Sequence, residues 1–431
     1  MSHEHSSAAS SAPSRRDFLK TSSAAVAGAA AANLLVARSA HAAGSDILKI
    51  GLIGCGGRGT GAVGNAFAAD KQTQLVAVAD AFEDRAQNSI VQLQKSFASR
   101  VDVPPERFFV GFDAYEKLLA TDCDVVILAT PPHFRPAHLK AAINSGKHVF
   151  CEKPVAVDAP GVRSVLETTE QAKAKNLTLV SGLCYRYDPP KVELMKRVHD
   201  GAIGDIQAMH VSYNTGTLWH HGRDPNWSEM EFQLRNWLYF TWLSGDFNVE
   251  QHIHSLDKAS WAMNDQPPVK ATGLGGRQVR TDDKWGNIYD HFSVIYEYEN
   301  GTRLFANCRQ MAGCSVDVSD HLFGTKGTAE MMRAKIEGEN PWRYRGDKPS
   351  MYEEEHRAMF GAIRSGNPIN NGLYMANSTM LAIMGRMAAY TGQTLTWDQC
   401  INSSEDLSPE SYEWGEVSIN PVAMPGLTRF A

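Results

Sequence analysis

The sequence predicts an α/β fold, in which a doubly wound parallel sheet precedes a second α/β domain with an open, mostly antiparallel sheet. From Leu48 to about Pro154, short apolar runs alternate with helical stretches, which is typical of parallel strands joined by helices. Further along, long apolar runs follow one another directly, which favours an antiparallel sheet. These runs are Ile206–Tyr213, Val269–Arg280, His291–Tyr298 and Thr302–Gln310, with a hairpin turn at Glu299–Thr302.

Length and composition agree with two domains. The chain has 431 residues, of which 43% are hydrophobic and 21% are charged, so each domain can bury its own core. We predict a leader over 1–42, a first domain over 46–180, a second over 181–400 and an irregular tail over 401–431. The net charge of −6 gives no reason to expect a nucleic acid or an anionic membrane as partner.

Seven dispersed cysteines form no CxxC pair, which argues against a disulfide framework and against a zinc cluster. We interpret most of them as small buried hydrophobic residues. The sequence therefore predicts no metal site.

The first apolar strand leads into a glycine motif, Gly54-x-Gly56-x-x-Gly59. Gly54 permits a tight turn, Gly56 lets the backbone approach a pyrophosphate, and Gly59 lets the following helix pack closely on the sheet. A second apolar strand ends on Asp80, whose carboxylate can accept hydrogen bonds from both hydroxyls of a ribose. This order of elements predicts a Rossmann domain that binds NAD in preference to NADP.

The amino terminus has the features of an export signal. Ser14–Lys20 matches the twin-arginine pattern, an Ala-rich run spans Ser22–Val36, and Ala40–Ala42 is a small-x-small cleavage site. The apolar run is too short and too weakly apolar for a transmembrane anchor. We expect removal after Ala42 and a periplasmic or otherwise exported protein.

Glu152-Lys153-Pro154 stands at the end of a predicted strand. A lysine there, beside the cofactor, could hydrogen-bond a substrate hydroxyl and help to move its proton. An ordinary surface lysine before a proline is the alternative.

A second candidate for proton transfer is the stretch that contains Glu250, His252 and His254. If it is helical, Glu250 and His254 lie four residues apart on one face, and the carboxylate would orient the imidazole as a general base. Ligands two residues apart on a helix diverge, which argues against a metal site. A structural helix with a satisfied His–Glu pair remains an alternative.

These motifs occur in an order that resembles the Gfo/Idh/MocA oxidoreductases. The glycine motif with Asp80 is followed by Thr130-Pro131-Pro132-His133, Glu152-Lys153-Pro154 and the Glu250…His254 stretch. The resemblance extends from Leu48 to about Trp397. It implies a Rossmann domain followed by an α/β domain whose open sheet commonly forms the oligomer interface, so we expect a homodimer or homotetramer.

The resemblance also assigns roles position by position. Lys153 and His254 match the family's catalytic lysine and histidine, and Glu250 stands where many members have aspartate. The implied cofactor-binding residues are Gly54, Gly56, Gly57, Arg58, Gly59, Asp80, Thr130, Pro131, His133, Glu152 and Lys153. The implied substrate-binding residues are Tyr185, Arg186, His254, Asp290 and His291.

Three functions follow as hypotheses. The first is an exported NAD-dependent oxidoreductase of a sugar or polyol, with a cofactor that is loaded before export and stays bound. The second is a redox-neutral glycosidase that oxidises its substrate transiently, eliminates the aglycone, adds water and then reduces. The third is a sugar-binding relative without turnover, which the glutamate at the aspartate position favours and the intact Lys153 and His254 oppose.

Overall fold

The computed structural model describes residues 46–431, and Leu48–Ala431 forms one unit of contacting elements. The predicted twin-arginine leader and its cleavage site lie outside the described residues. Within 46–431, none of the helices is both long and apolar enough to cross a membrane.

The first sheet has six strands in the order β3-β2-β1-β4-β5-β6, and every neighbouring pair is parallel. Its strands are β1 (Leu48–Ile53), β2 (Thr73–Asp80), β3 (Phe108–Val110), β4 (Val125–Leu128), β5 (His148–Cys151) and β6 (Leu179–Ser181). Its helices are α1 (Gly57–Ala69), α2 (Glu83–Phe97), α3 (Ala114–Leu119), α4 (Arg135–Asn144) and α5 (Ala159–Ala174). The predicted doubly wound sheet is confirmed. The strand order reverses between β1 and β4, so a ligand crevice is expected outside the carboxyl ends of these strands.

A second sheet of nine strands follows, in the order β14-β13-β12-β11-β7-β10-β9-β8-β15. Only β7 and β10 pair in parallel; the other described pairs are antiparallel, as the sequence predicts. The strands are β7 (Ile206–Thr215), β8 (Lys270–Gly276), β9 (His291–Glu297), β10 (Arg303–Gln310), β11 (Asp317–Gly324), β12 (Gly327–Glu330), β13 (Lys335–Gly338), β14 (Trp342–Arg343) and β15 (Leu395–Thr396).

Helices cover one face of this sheet. The helices after β6 are α6 (Pro189–His199), α7 (Glu229–Arg235), α8 (Thr241–Ser244), α9 (Phe247–Glu250), α10 (Ile253–Ala262), α11 (Met351–Ser365), α12 (Gly372–Thr391) and α13 (Trp397–Ile401). On the covered face, Met209 and Val211 of β7 pack with Leu304 and Ala306 of β10 and are buried. On the other face, Leu274, Ile295 and Phe305 stay exposed.

The carboxyl-terminal helices connect the two sheets. Helix α11 packs on α1 and on the first sheet, whereas α12 packs on α5 as well as on β8 and β9 of the second sheet. After α13 the chain runs without helix or strand to Ala431. Six of the seven cysteines are buried and Cys314 is exposed, which confirms the interpretation of most of them as small core residues.

Candidate active site

The glycine turn after β1 is fixed by contact distances. Gly54 has φ +94°, and a Cβ atom there would lie 2.5 Å from the Ala129 carbonyl carbon and from the Thr130 nitrogen. A Cβ at Gly59 would lie 2.0 Å from the Gly54 carbonyl oxygen. Both positions therefore require glycine: the first for the left-handed turn and the second for the close approach of α1 to the strand end.

Gly56 and Gly57 differ from Gly54 and Gly59, because a Cβ atom at either position would face open space. The nearest atom to a Cβ at Gly56 is the Arg85 Nη1, 3.5 Å away, and none lies within 4 Å at Gly57. Together with Arg58 they line a cavity of about 740 Å³. The first N–H groups of α1 have no partner inside the helix, so this end of the cavity favours a phosphate.

Asp80 lines the same cavity at the carboxyl end of β2. Its Oδ2 accepts a hydrogen bond from the Cys55 N–H at 2.6 Å, and its Oδ1 accepts one from the Phe82 N–H at 3.0 Å. Burial raises the pKa of Asp80, and these two N–H donors oppose that rise. The carboxylate is thus held rigidly, with lone pairs left for the hydroxyls of a ribose.

These residues fit a dinucleotide. An open glycine cradle lies at a helix amino terminus, a fixed carboxylate stands at the end of the next strand, and one cavity joins them. A carboxylate at this point accepts a 2′-hydroxyl and repels a 2′-phosphate, so Asp80 favours NAD over NADP.

The segment after β4 contributes only part of what the resemblance implies. Thr130 and Pro131 line the cavity, and the Thr130 hydroxyl lies 3.2 Å from the His138 Nδ1. His133 does not line it. Its Nε2 lies 2.7 Å from the Tyr412 hydroxyl, and burial lowers the pKa of His133 to about 4. The carboxyl-terminal tail thus engages the His133 ring, and contact between His133 and the cofactor stays a prediction.

Glu152 forms an ion pair with Arg58, which lines the cavity. Its buried carboxylate accepts a hydrogen bond from the Arg58 Nε, and the Arg58 guanidinium lies 4.9 Å from the centroid of the Tyr352 ring. This ion pair links the end of β5 to the first turn of α1. It holds Arg58 against the cavity, whereas Glu152 and Lys153, which are predicted to bind the cofactor, are not among the residues that line it.

Lys153 and Glu250 form an ion pair. The Lys153 Nζ lies 2.9 Å from the Glu250 Oε1 and 2.6 Å from the Glu250 carbonyl oxygen, with both side chains mostly buried. The predicted contact between Glu250 and His254 is wrong. Helix α9 ends at Glu250 and α10 begins at Ile253, so the two side chains do not share one helix face.

His254 instead lies between aromatic rings. Its ring centroid is 5.6 Å from that of Tyr185, with the planes perpendicular, and 6.4 Å from that of Tyr213, with the planes 23° apart. Its Nδ1 is buried and has no hydrogen-bond partner among the described residues. Burial lowers the pKa of His254 well below its ordinary value, and the charges of Lys153 and Lys258 lower it further. The imidazole is therefore neutral at neutral pH.

Two neighbours of His254 are absent from the sequence prediction. Lys258 follows His254 by one helical turn on α10, lies 2.8 Å from the Asp320 Oδ2, and has its ammonium 3.9 Å from the Tyr185 ring centroid. Tyr213 comes from β7, and burial raises its pKa to about 12. The i, i+4 spacing from His254 could have indicated Lys258, whereas only the sheet register brings Tyr213 here.

Arg186 does not face a substrate. Its guanidinium is 2.9 Å from the Asp257 Oδ1 and 3.0 Å from the Asp265 Oδ2, and it stacks 4.0 Å from the centroid of the Tyr374 ring. Two carboxylates and an aromatic ring thus hold the Arg186 guanidinium. Tyr185, in contrast, contacts His254 and stays partly exposed.

Asp290 and His291 also depart from the predicted role. The Asp290 carboxylate is buried and accepts hydrogen bonds from the N–H groups of Gln278, Val279 and Arg280, so it stabilises a loop. His291 pairs with Arg309, which places it on the face of the sheet opposite to the buried Phe292. Tyr213 and His254 lie on the covered face, and His291 therefore points away from them.

Across 46–431, no group of three or more His, Cys, Asp or Glu residues is arranged to hold a metal ion. A neutral imidazole lies close to the ammonium groups of Lys153 and Lys258, each of which is paired with a carboxylate. Fold and cavity together define a dinucleotide-binding protein.

Comparison with known families names that class. Residues 48–180 match the oxidoreductase family with an NAD-binding Rossmann fold, GFO_IDH_MocA, and residues 192–330 match the GFO/IDH/MocA C-terminal domain. The two matches cover more than half of the chain. The chain therefore belongs to the Gfo/Idh/MocA family and is an NAD-binding oxidoreductase.

Individual relatives are distant. Inositol 2-dehydrogenase of Rhizobium meliloti is 27% identical over 282 residues, which is 65% of this chain and 74% of that protein. A glycosyl hydrolase family 109 protein of Streptomyces coelicolor is 30% identical over 167 residues, 38% of this chain and 34% of that protein. The solved structure of aldose-aldose oxidoreductase from Caulobacter crescentus has a TM-score of 0.63 at 18% identity, and the match covers 81% of this chain and 99% of that one. At such identity the structural match shows the fold alone.

Proposed function

We propose that this protein oxidises a CH–OH group of a polyol or sugar with bound NAD. The observation that carries the proposal is the neutral His254 imidazole, held between Tyr185 and Tyr213 and close to the Lys153–Glu250 ion pair. The inositol 2-dehydrogenase relative supports a polyol as the substrate class.

When bound, the nicotinamide accepts the hydride that leaves the substrate carbon. The hydroxyl proton of the same H–C–O–H unit passes to the neutral His254. The Lys153 ammonium, kept in place by Glu250, donates a hydrogen bond to the substrate oxygen and stabilises the negative charge that develops there. The Tyr185 and Tyr213 hydroxyls keep their protons, because burial raises both pKa values, and they are available as hydrogen-bond donors.

A panel of polyols and aldoses tests this reaction. Reduced-nicotinamide absorbance should rise with at least one substrate and should fail to rise in the His254→Ala variant. If NAD is bound and no member of a broad panel changes the absorbance or yields a product, the sugar-binding alternative replaces the proposal.

A redox-neutral glycosidase is the second candidate, and the glycosyl hydrolase family 109 relative favours it. Transient oxidation would acidify the neighbouring C–H bond, and elimination would then release the aglycone before water addition and reduction. An aryl glycoside distinguishes the two functions, because net dehydrogenation alone does not release the aglycone.

We further propose that the protein is exported in folded form with its cofactor already bound. The twin-arginine pattern at Arg15 and Arg16 and the cleavage site at Ala42 support this proposal. Replacing both arginines with lysine should leave the protein in the cytoplasm. Mass spectrometry of the exported protein should give a mass that corresponds to removal of residues 1–42.

Self-association through the second sheet is also proposed. Leu274, Ile295, Phe305 and Phe323 are exposed apolar side chains on this sheet, and such a face is normally covered. Sedimentation should show a dimer or tetramer in the wild type, and Phe305→Glu should shift it towards the monomer.

A further inference from the structure

The cofactor cavity has a wall that does not belong to the first domain. Residues 217–237, named here the cover segment, include the loop after β7 and helix α7. Six of its side chains line the same cavity as Asp80 and the glycine turn: Trp219, His221, Trp227, Leu234, Arg235 and Trp237. In a Rossmann domain the adenosine ribose binds at the end of the second strand, here Asp80. The cover segment therefore faces the adenosine half of the cavity.

Arg235 ties the cover segment to the first domain. Its Nη1 and Nη2 each donate to one oxygen of Asp84 at 3.2 Å, and its Nε donates to the Glu231 Oε1 at 2.9 Å. The guanidinium lies 4.1 Å from the centroid of the Phe82 ring and 5.0 Å from that of Trp227. One side chain thus joins both walls of the cavity through a bidentate ion pair and two ring contacts.

The carboxyl-terminal tail forms a second layer outside this wall. The Trp414 ring centroid lies 4.8 Å from that of Phe112 and 5.4 Å from that of Phe82, both of which line the cavity. The Tyr412 hydroxyl contacts the His133 Nε2, as described above. On the other side, the N–H of Met230 in the cover segment donates to the Gly415 carbonyl oxygen at 3.0 Å. The tail therefore contacts both walls at once.

We propose that the cover segment and the tail form a clamp that keeps NAD from exchanging with free nucleotide during turnover. For adenosine to leave, the Arg235–Asp84 ion pair and the Trp414 ring contacts must separate, and each lost contact speeds dissociation. The inference rests on the proposed function, because it identifies the part of the chain that would retain the cofactor. It also gives a role to the loop after β7, which is rich in tryptophan and histidine (Trp219, His220, His221 and Trp227).

Isotope exchange of the cofactor tests the clamp. The full chain, purified with NAD bound, is incubated with excess isotopically labelled NAD, and the bound nucleotide is identified by mass spectrometry after denaturation. Trp414→Ala and Arg235→Gln should each exchange at least about tenfold faster than the wild type, which corresponds to about 1.4 kcal/mol. Leu427→Ala, at a tail residue that is 73% exposed, should leave the exchange rate unchanged.

The possible outcomes separate the clamp from the proposed function. Slow exchange in the wild type with fast exchange in both variants supports the clamp. A wild type that exchanges as fast as the variants, or variants as slow as the wild type, overturns it and leaves NAD-dependent oxidation intact. Failure of the protein to bind NAD at all contradicts the proposed function itself. Trp414 is 48% exposed, so thermal unfolding of the nucleotide-free Trp414→Ala variant should match that of the wild type.

Discussion

The Lys153 ammonium lies 2.9 Å from the Glu250 Oε1 and 2.6 Å from the carbonyl oxygen of the same residue. Glutamate is long enough to reach the lysine that follows β5. It does so from α9, which ends at Glu250, whereas His254 belongs to α10, which begins at Ile253. Glu250 and His254 therefore do not form a pair with each other. Glu250 holds the ammonium, while burial and the nearby cations keep His254 neutral.

Removing the charge of Glu250 tests whether this residue positions the Lys153 ammonium. In Glu250→Gln we expect kcat to fall about tenfold or more, because the ammonium loses the partner that orients it towards the substrate oxygen. Urea unfolding should show a loss of about 1–3 kcal/mol, because both side chains of the pair are mostly buried and the ammonium loses its charged partner. Glu337→Gln, which breaks an exposed pair with Lys335, is the matched control and should leave kcat unchanged. An unaltered kcat in Glu250→Gln would show that the pair has no part in the reaction.

The pH dependence of kcat/KM tests whether His254 is neutral in the folded protein. The pKa of His254 is lowered, so the imidazole stays neutral as the pH falls through about 6.5, the ordinary value for histidine. Activity should therefore persist below that pH, and His254→Ala should lower kcat by about 10²–10⁴. His199→Ala, at an imidazole that contacts the Trp261 carbonyl oxygen, is the control. An acid limb centred near pH 6.5 that disappears in His254→Ala would mean that the imidazole titrates as an ordinary, solvated group.

The same shift has a consequence for stability. The unfolded chain protonates His254 below about pH 6.5, whereas the folded chain does not, so acid favours the unfolded state. The free energy of unfolding should therefore fall as the pH is lowered through that value. His254→Ala should reduce the slope by up to about 1.4 kcal/mol per pH unit.

The choice between NAD and NADP depends on the Asp80 carboxylate. Asp80→Ser removes the acceptor for the ribose hydroxyls and the charge that would repel a 2′-phosphate. We expect the Kd for NAD to rise about tenfold or more, because hydrogen bonds from the ribose hydroxyls to a charged group are lost. The NADP-to-NAD preference should shift towards NADP, because the repelling negative charge is removed. Calorimetry with both nucleotides measures the two affinities. An unchanged ratio would show that Asp80 does not contact the ribose.

The buried pair of Lys258 and Asp320 offers a test that is independent of turnover. Both side chains are fully buried, with Nζ 2.8 Å from Oδ2. Asp320→Ala leaves a buried ammonium without its counter-charge, so we expect a loss of about 3–5 kcal/mol in urea unfolding. The double variant Lys258→Met with Asp320→Leu should be much less destabilised. If the single variant were as stable as the wild type, the ammonium would have to be solvated.

Much of the fold could be predicted from the sequence, because its signals are local. The glycine turn, the strand that ends at Asp80 and the hairpin at Glu299–Thr302 each depend on a few neighbouring residues. The pattern does not predict β3, β13, β14 and β15, because strands of two to four residues carry too little periodicity.

The site was harder to predict, because its geometry depends on contacts between distant segments. Spacing alone favours one helix through Glu250 and His254, yet the helix is interrupted at Gln251–His252. The start of α9 also depends on distant residues, because the carboxylate of Asp246, which precedes α9 with φ +73°, accepts hydrogen bonds from the Tyr289 N–H and the Tyr390 hydroxyl. Arg186 matched a substrate-facing position, and only the fold reveals Asp257 and Asp265 on either side of it.

Single-turnover reduction of the bound cofactor tests whether His254 accepts the proton of the substrate hydroxyl. The protein, purified with NAD bound and without added nucleotide, is mixed with each member of a polyol and aldose panel while reduced-nicotinamide absorbance is followed. We predict a rise that approaches one reduced nicotinamide per site with at least one substrate, and no rise in His254→Ala with NAD equally bound. A His254→Ala variant that reduces its cofactor as fast as the wild type would contradict the role of His254 as the proton acceptor.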